Sequence, residues 1–113
     1  MTTLYHNPRC SKSREALQLL EEKGETIEIV KYLEKTPSHK ELKQVIELLG
    51  IKPIELVRTQ EIDWKENFKG KNLTDDEIIE AMVAHPRLIE RPIAIKGTRA
   101  VIGRPPEKVL DIL

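Results

Sequence analysis

Cys10 is the only cysteine among the 113 residues of the chain. It stands in the stretch LYHNPRCSKSREALQLL, where a β-like run gives way to a helical one. A cysteine at the start of a helix meets unpaired backbone N–H groups and the positive end of the helix dipole, and both favour a thiolate. The alternative is a structural role, since free cysteine usually behaves as a small buried hydrophobic residue.

A helix start is not sufficient to make a thiol reactive. An ordinary thiol with a pKa of about 8.5 is only about 3 % ionised at neutral pH, and lowering that pKa to about 6.5 takes roughly 2.7 kcal/mol. The helix terminus supplies about 0.3–1 kcal/mol. Arg9 and His6 are the nearby candidates for further positive charge. Ser11 and Ser13 carry hydroxyls that can donate hydrogen bonds to the sulfur and so tune the thiol.

The spacing from Cys10 to Ser13 is that of the two-cysteine motif of thioredoxin-like redox proteins, with serine in place of the second cysteine. Because the chain holds no other thiol, nothing within it can resolve a covalent adduct on Cys10. A second thiol must come from outside, and glutathione or a glutaredoxin-type protein is the natural supplier.

Hydrophobic patterning predicts the elements around this junction. A strand is predicted over residues 2–6, and a helix from Ser11 to about Lys23 that Gly24 ends. Residues 26–33 alternate well enough for a second strand. Two strands with a helix between them form a βαβ unit, so we expect a parallel strand pair with a right-handed crossover.

The middle of the chain is predicted to be helical. Capping boxes at residues 38–41 and 74–77 each precede an apolar pattern of helical spacing. Pro53 begins a short helix, and the segment around Trp64 and Phe68 forms another.

The C-terminal part returns to strands. PIAIKGTRAVIG predicts a hairpin that turns around Gly97, and PPEKVLDIL predicts a closing helix with proline in its first turn. The element order is therefore β-α-β, helices, β-β-α. We predict one α/β domain over residues 1–113, with a four-stranded mixed sheet flanked by helices.

The composition restricts the class of function. Lysine plus arginine and aspartate plus glutamate each number 19, so no net charge attracts nucleic acid or an anionic membrane. With 39 % hydrophobic and 34 % charged residues, the chain is expected to be a soluble globular protein. We see no membrane-spanning run, signal-peptide pattern or metal-ligand spacing, and we expect a cytoplasmic location.

These motifs resemble the glutaredoxin-coupled arsenate reductases of the thioredoxin-fold superfamily. YHNPRCSKSR resembles the active-site opening of that family, and TDDEIIEAMVAHPRLIERPIAI with IGRPPEKVLDIL is similar to its C-terminal half. The chain most resembles a short bacterial branch that shares NPRCSKSRE and GRPPE. The resemblance implies a thioredoxin/glutaredoxin-like fold.

The resemblance also implies site residues. The family's catalytic cysteine matches Cys10, and the three arginines of its oxyanion site match Arg58, Arg91 and Arg104. Guanidinium groups suit this task because their planar forks bind phosphate-shaped anions in bidentate fashion.

Two further positions match the family. Its histidine upstream of the cysteine matches His6, with a supporting role in tuning the thiol. The cis-proline of the superfamily matches Pro92, which by resemblance places the Arg91 backbone next to the sulfur.

The reaction implied by the resemblance is the reduction of arsenate to arsenite. The thiolate attacks arsenate with loss of water, glutathione adds, and glutaredoxin reduces the mixed species. No bound cofactor or metal is expected, and glutathione is a co-substrate. The expected partners are arsenate or a similar oxyanion, glutathione and glutaredoxin, and the chain is expected to be a monomer.

Each assignment has an alternative. Considered alone, Arg58 could be a solvated helix residue. Arg91 and Arg104 each precede a proline, which is typical of surface turns. His6 could be a structural histidine. Two other functions fit the superfamily. One is a glutathione-dependent thiol reductase acting on other adducts. The other is a redox regulator that binds RNA polymerase, which Ser13 argues against because such a switch needs a second cysteine there.

Overall fold

Cys10 lies in the first of two units into which the chain divides. The computed structural model describes all 113 residues. Met1–Lys35 and Arg91–Leu113 form the first unit, and Thr36–Glu90 form the second.

The first unit is built on a four-stranded sheet. Its strands, in chain order, are β1 (Thr2–Tyr5), β2 (Ile27–Val30), β3 (Ile93–Lys96) and β4 (Arg99–Ile102). The spatial order is β2-β1-β3-β4; β1 is parallel to β2, and β3 is antiparallel to both β1 and β4. This is a mixed sheet of the thioredoxin-like type, and it confirms the predicted fold class.

One α-helix and one 3₁₀-helix pack on this sheet. Helix α1 (Ser11–Glu22) connects β1 to β2, and the 3₁₀-helix Pro106–Ile112 closes the chain. The hydrophobic core of the unit joins residues from both helices and from the two central strands: Leu4, Ala16, Leu20, Ala94, Val109 and Ile112. Residues 16 and 20 are one helical turn apart, so both project from the same face of α1.

The strand directions bring four chain segments to one edge of the sheet. The carboxyl ends of β1, β2 and β4 and the amino end of β3 all lie there, because β3 alone runs in the opposite direction. Cys10 follows the end of β1, and residues 31–34 follow the end of β2. Pro92 precedes β3, and Arg104 follows β4. The topology thus gathers most of the predicted site.

The opposite edge is held together by a partly buried polar contact. The Thr2 hydroxyl donates to Glu25 Oε1 over 2.6 Å, and Lys96 Nζ donates to the same oxygen over 2.8 Å. The hydrogen bond from Lys96, followed by that from Thr2, lowers the pKa of the Glu25 carboxyl below 4.5. Three elements are joined here: the start of β1, the end of β3 and the turn that precedes β2.

The second unit is helical, as predicted. It contains α2 (His39–Leu49), α3 (Ile62–Asn67) and α4 (Asp75–Ala84), with 3₁₀-helices at Pro53–Leu56 and Pro86–Leu88. Both predicted capping boxes are present, Ser38 with Glu41 and Thr74 with Glu77. Helix α2 ends at Gly50, whose φ of 69° lies in the left-handed region. No helix in either unit combines the length and the apolarity needed to cross a membrane.

The second strand is shorter than the sequence indicates. The pattern predicts residues 26–33, but β2 ends at Val30. Immediately afterwards the backbone turns, because the N–H groups of Glu34 and Lys35 both donate to the carbonyl of Lys31. The apolar residues Tyr32 and Leu33 follow the strand, so the sequence pattern alone overestimates its length. The parallel β1–β2 pair and the β3–β4 hairpin are confirmed.

Replacing Glu25 tests the polar contact at the far edge of the sheet. A carboxyl whose pKa is lowered in the folded state stabilises the fold above its unfolded-state pKa, and this stabilisation is lost as the pH falls through the folded-state pKa. Glu25→Gln should therefore lower the free energy of unfolding at neutral pH. The difference in the free energy of unfolding between Glu25→Gln and the parent should vanish when the pH is below the folded-state pKa of Glu25. Urea unfolding at neutral pH and at that acidic pH measures this difference.

Glu28→Gln is the matched control, because Glu28 is exposed on β2. It should leave the free energy of unfolding unchanged at both pH values. A deficit in Glu25→Gln that persists unchanged in acid would contradict the ionic explanation.

Candidate active site

Cys10 is held at the amino terminus of α1 by a tight turn. Its backbone N–H donates to the carbonyl of Asn7 over 3.0 Å, which closes the turn Asn7-Pro8-Arg9-Cys10. Its own carbonyl accepts from the N–H of Arg14 in the first turn of the helix. Cys10 is the N-cap residue, with an extended backbone, and it is partly exposed. The sulfur therefore stands at the positive end of the helix and within reach of solvent.

Arg104 provides the positive charge at the sulfur. Its Nη2 lies 3.8 Å from Cys10 Sγ, and its Nε donates to the carbonyl of Arg91 over 2.8 Å. The first contact is long for a hydrogen bond, so charge attraction is its main component. The fixed charge of the guanidinium attracts negative charge at the sulfur.

The backbone around Pro92 sets the position of Arg104. The Arg91–Pro92 and Arg104–Pro105 peptide bonds are both cis. The N–H of Gly103, which precedes Arg104, donates to the carbonyl of Pro92 over 2.8 Å. This bond joins the segment after β4 to the segment before β3, so the carbonyl of Arg91 and the guanidinium of Arg104 come together beside the sulfur.

Gly103 is a site-positioning residue that the sequence analysis missed. A Cβ at this position would lie 2.8 Å from Pro92 Cγ and 2.9 Å from Val109 Cγ1, closer than packed carbon atoms approach. Glycine is thus required by close packing against the proline. The signal available in the sequence was the string IGRPPE, where the glycine directly precedes an arginine predicted for the oxyanion site.

His6 and Ser13 contact each other. His6 Nδ1 lies 2.6 Å from Ser13 Oγ, and the backbone N–H of Asn7 donates to the same hydroxyl oxygen over 3.1 Å. Both side chains are buried. Burial first, and then the positive charges of Lys31 and Arg14, lowers the pKa of His6 below 6.5. The imidazole is therefore neutral at pH 7.

The neutral imidazole changes one expectation from the sequence. His6 was a candidate for positive charge beside Cys10, but the charge there comes from Arg104, while the ring of His6 is bonded to Ser13. Together, His6, Ser13 and Asn7 hold the turn that carries Cys10. Any tuning of the thiol by this pair acts through the position of the turn.

Arg58 belongs to the second unit, where two carboxylates surround it. Its Nη1 lies 2.7 Å from Glu61 Oε1, and its Nε lies 3.7 Å from Glu90 Oε1. Its backbone N–H donates to the carbonyl of Leu88, next to an isolated β-bridge between Val57 and Ile89. The structure therefore places the guanidinium of Arg104 at Cys10 and the backbone carbonyl of Arg91 beside that guanidinium, and it shows Arg58 engaged with acidic partners.

Comparisons with known proteins show the family to which the chain belongs. The model of the ArsC family matches residues 5–112. The chain belongs to the ArsC family. A Haemophilus influenzae protein named arsenate reductase is 47 % identical over 112 residues, covering 97 % of each chain. The Escherichia coli K12 protein YfgD, named as uncharacterized, is 46 % identical over 97 % of this chain and 94 % of its own.

A solved structure within the ArsC family supports the same fold. The structure named arsenate reductase from Vibrio cholerae superposes with a TM-score of 0.94 at 47 % sequence identity. The match covers 99 % of this chain and 97 % of that one. The structure contains no group of three or more side chains that could hold a metal ion.

Removing the charge of Arg104 tests its contact with Cys10. Arg104→Met keeps a long side chain without the cation, so the thiolate loses its charged partner. We expect alkylation by iodoacetamide slowed by about tenfold. Arg99→Met is the control, because Arg99 is exposed at the far edge of the sheet. Equal alkylation rates in both variants would contradict the role of Arg104.

Adding a methyl group at Gly103 tests the packing that positions Arg104. Gly103→Ala forces Pro92 and Val109 apart, so we expect a loss of about 1–3 kcal/mol in the free energy of unfolding. We also expect slower alkylation of Cys10, because Arg104 moves with its neighbour.

Gly97→Ala is the control for this substitution. Gly97 has a φ of 62° and open space around it, so alanine costs about 1–2 kcal/mol through the backbone alone. Its alkylation rate should equal that of the parent. Similar alkylation in all three proteins would contradict the positioning role of Gly103.

Proposed function

We propose that this protein is an arsenate reductase, an oxidoreductase in which Cys10 is the nucleophile. The observation that supports this most strongly is the contact of Arg104 with both the Cys10 sulfur and the carbonyl of Arg91. A thiolate and an oxyanion repel each other, so a reaction between them requires a fixed cation at the sulfur. The names of the Haemophilus and Vibrio relatives point to the same substrate.

In the first step the thiolate of Cys10 attacks the arsenic atom. A sulfur–arsenic bond forms, and one arsenate oxygen takes up two protons and leaves as water. Arg104 and Arg91 stabilise the charge that develops on the remaining oxygens, since guanidinium forks donate in the bidentate geometry of such anions. Arg104 thereby has two tasks: it favours the thiolate, and it draws the anion to it.

The reduction itself needs two electrons from thiols outside the chain. Arsenic passes from the +5 to the +3 state as two external thiol groups become one disulfide. Overall, arsenic acid and two thiols give arsenous acid, a disulfide and water. We propose glutathione as the first thiol and a glutaredoxin as the second, with thioredoxin as the donor to test against them. Such a reduced thiol pool exists in the cytoplasm, so we propose that location.

A coupled assay tests the proposed reaction. Glutathione, glutaredoxin, glutathione reductase and NADPH are supplied, and NADPH oxidation is followed with and without arsenate. The parent should oxidise NADPH only when arsenate is present, and Cys10→Ser should abolish this. Thioredoxin with its reductase replaces the glutathione system in a parallel assay. No arsenate-dependent oxidation with either donor would contradict the proposed function.

Substituting the arginines separates anion binding from thiol chemistry. Arg91→Ala should lower kcat/KM for arsenate by about 10²–10³-fold, the usual effect of removing one preorganised charge donor. Alkylation of Cys10 by neutral iodoacetamide should fall much less. Arg99→Ala, at the far edge of the sheet, should match the parent in both assays. Equal losses for Arg91→Ala in the two assays would count against an oxyanion role.

The pairing of Arg58 predicts a smaller effect for that residue. An oxyanion has to compete with Glu61 and Glu90 for the guanidinium, so part of its attraction to the anion is already offset. Arg58→Ala should therefore reduce kcat/KM for arsenate less than Arg104→Ala does. A larger loss for Arg58→Ala in the same assay would show that the carboxylates do not weaken its role.

A further inference from the structure

The turn that carries Cys10 borders a cleft on the side of β2. This cleft has a volume of about 270 Å³, and we call it the β2-side cleft. Its polar and charged lining comes from the turn after β1 and the segment after β2: His6, Asn7, Arg9, Lys31 and Glu34, with Pro8 between them. The guanidinium of Arg104 approaches the sulfur from the segment after β4 instead, and it contacts the carbonyl of Arg91, which precedes β3. Since β1 lies between β2 and β3, the β2-side cleft and the guanidinium of Arg104 lie on opposite sides of the turn that carries Cys10.

Hydrogen bonding at Ser13 determines what His6 presents to the cleft. The Ser13 oxygen already accepts from the N–H of Asn7, and His6 Nδ1 lies 2.6 Å from it. If the hydroxyl donates to Nδ1, every group in this contact is satisfied, so we assign the proton of the neutral ring to Nε2. His6 is only 5 % exposed and lines the cleft. The neutral ring of His6, with its proton assigned to Nε2, therefore forms part of the wall of the cleft.

The charges of the β2-side cleft favour an anionic ligand. Arg9 and Lys31 are exposed cations at its rim, and Glu34 is the one carboxylate. Lys31 is close enough to His6 to contribute to lowering the pKa of the imidazole, so its charge acts on the interior of the cleft. Two cations, one neutral donor and one carboxylate suit a small molecule that carries two carboxylates and one ammonium group.

We propose that the β2-side cleft binds the small peptide thiol that resolves the adduct on Cys10, through its carboxylates at Arg9 and Lys31. This inference rests on the proposed function, because Cys10 has no second thiol within the chain and needs one from outside. Glutathione has the required two carboxylates and one ammonium group. The cleft is slightly smaller than the range of about 300–1,000 Å³ usual for ligand pockets, so it holds one arm of the peptide while the thiol extends toward Cys10.

The two substrates then approach the sulfur from different sides. The oxyanion is held by Arg104 on the β3–β4 side, and the thiol peptide arrives from the β2 side. Both are anions, so binding on opposite sides of the turn reduces their mutual repulsion. The arrangement predicts that charge changes in the β2-side cleft alter the use of glutathione and leave the use of arsenate unchanged.

Binding of S-methylglutathione tests the inference without any turnover. This analogue keeps all the charges of glutathione but cannot react with Cys10. Arg9→Gln and Lys31→Gln should each raise its Kd by about threefold to tenfold in calorimetric titrations. Lys35→Gln, an equal charge change just outside the cleft, should leave the Kd unchanged. The diethyl ester of S-methylglutathione, which lacks both carboxylates, should bind the parent more weakly than the acid binds either variant, because it loses both proposed contacts.

Kinetics in the coupled assay provide the second readout. Arg9→Gln and Lys31→Gln should raise KM for glutathione and leave KM for arsenate at the parent value. If arsenate is reduced but the Kd of S-methylglutathione is the same in all variants, the assignment of the cleft is wrong and the proposed function stands. If the Kd depends on Arg9 and Lys31 but arsenate is not reduced, the cleft binds the anionic peptide and the proposed reaction is wrong.

Discussion

The active-site geometry depends on one guanidinium group that contacts both a sulfur and a backbone carbonyl. Arg104 reaches the Cys10 sulfur with Nη2 and is fixed by a hydrogen bond from its Nε to the carbonyl of Arg91. Because the carbonyl holds the planar group, its charge stays beside the thiol when no anion is bound. A flexible lysine at this position would lack that second anchor, since its ammonium is a point charge on a mobile chain.

The rest of the first unit provides what this contact needs. The mixed strand directions bring the end of β1, the start of β3 and the end of β4 to one edge of the sheet. Close packing of Gly103 against Pro92 then fixes the distance between the last two segments. The turn of Cys10 is held separately by His6, Ser13 and Asn7. Burial lowers the pKa of His6, and the neutral ring contacts Ser13 in the turn that carries Cys10. The positive charge beside the sulfur belongs to Arg104.

The sequence predicted the elements well where local signals determine them. Both capping boxes, the left-handed Gly50 and the hairpin around Gly97 follow from short-range chemistry, and all are present. The end of β2 was predicted too late because the apolar residues Tyr32 and Leu33 extend the strand-like pattern through a turn. Turn formation there depends on backbone hydrogen bonds to Lys31, which side-chain periodicity does not report.

The site could be predicted only in part. The position of Cys10 at a helix start followed from the pattern of the chain, whereas the roles of the arginines came from resemblance. Nothing local indicates that Arg104, 94 residues after Cys10, reaches its sulfur. The need for glycine at 103 was missed for a related reason. Its φ is not positive, so only the packed neighbours Pro92 and Val109 show why a side chain cannot be present.

The positive charge that Arg104 places at the Cys10 sulfur can be measured by comparing how fast Cys10 reacts with two alkylating agents that differ in charge. Iodoacetate is an anion and iodoacetamide is neutral. A cation fixed at the sulfur should raise the rate with iodoacetate relative to iodoacetamide, above the ratio found for free cysteine, and added salt should lower that ratio. Arg104→Met should return the ratio to that of free cysteine. A parent protein whose ratio already equals that of free cysteine, at low salt, would contradict the account.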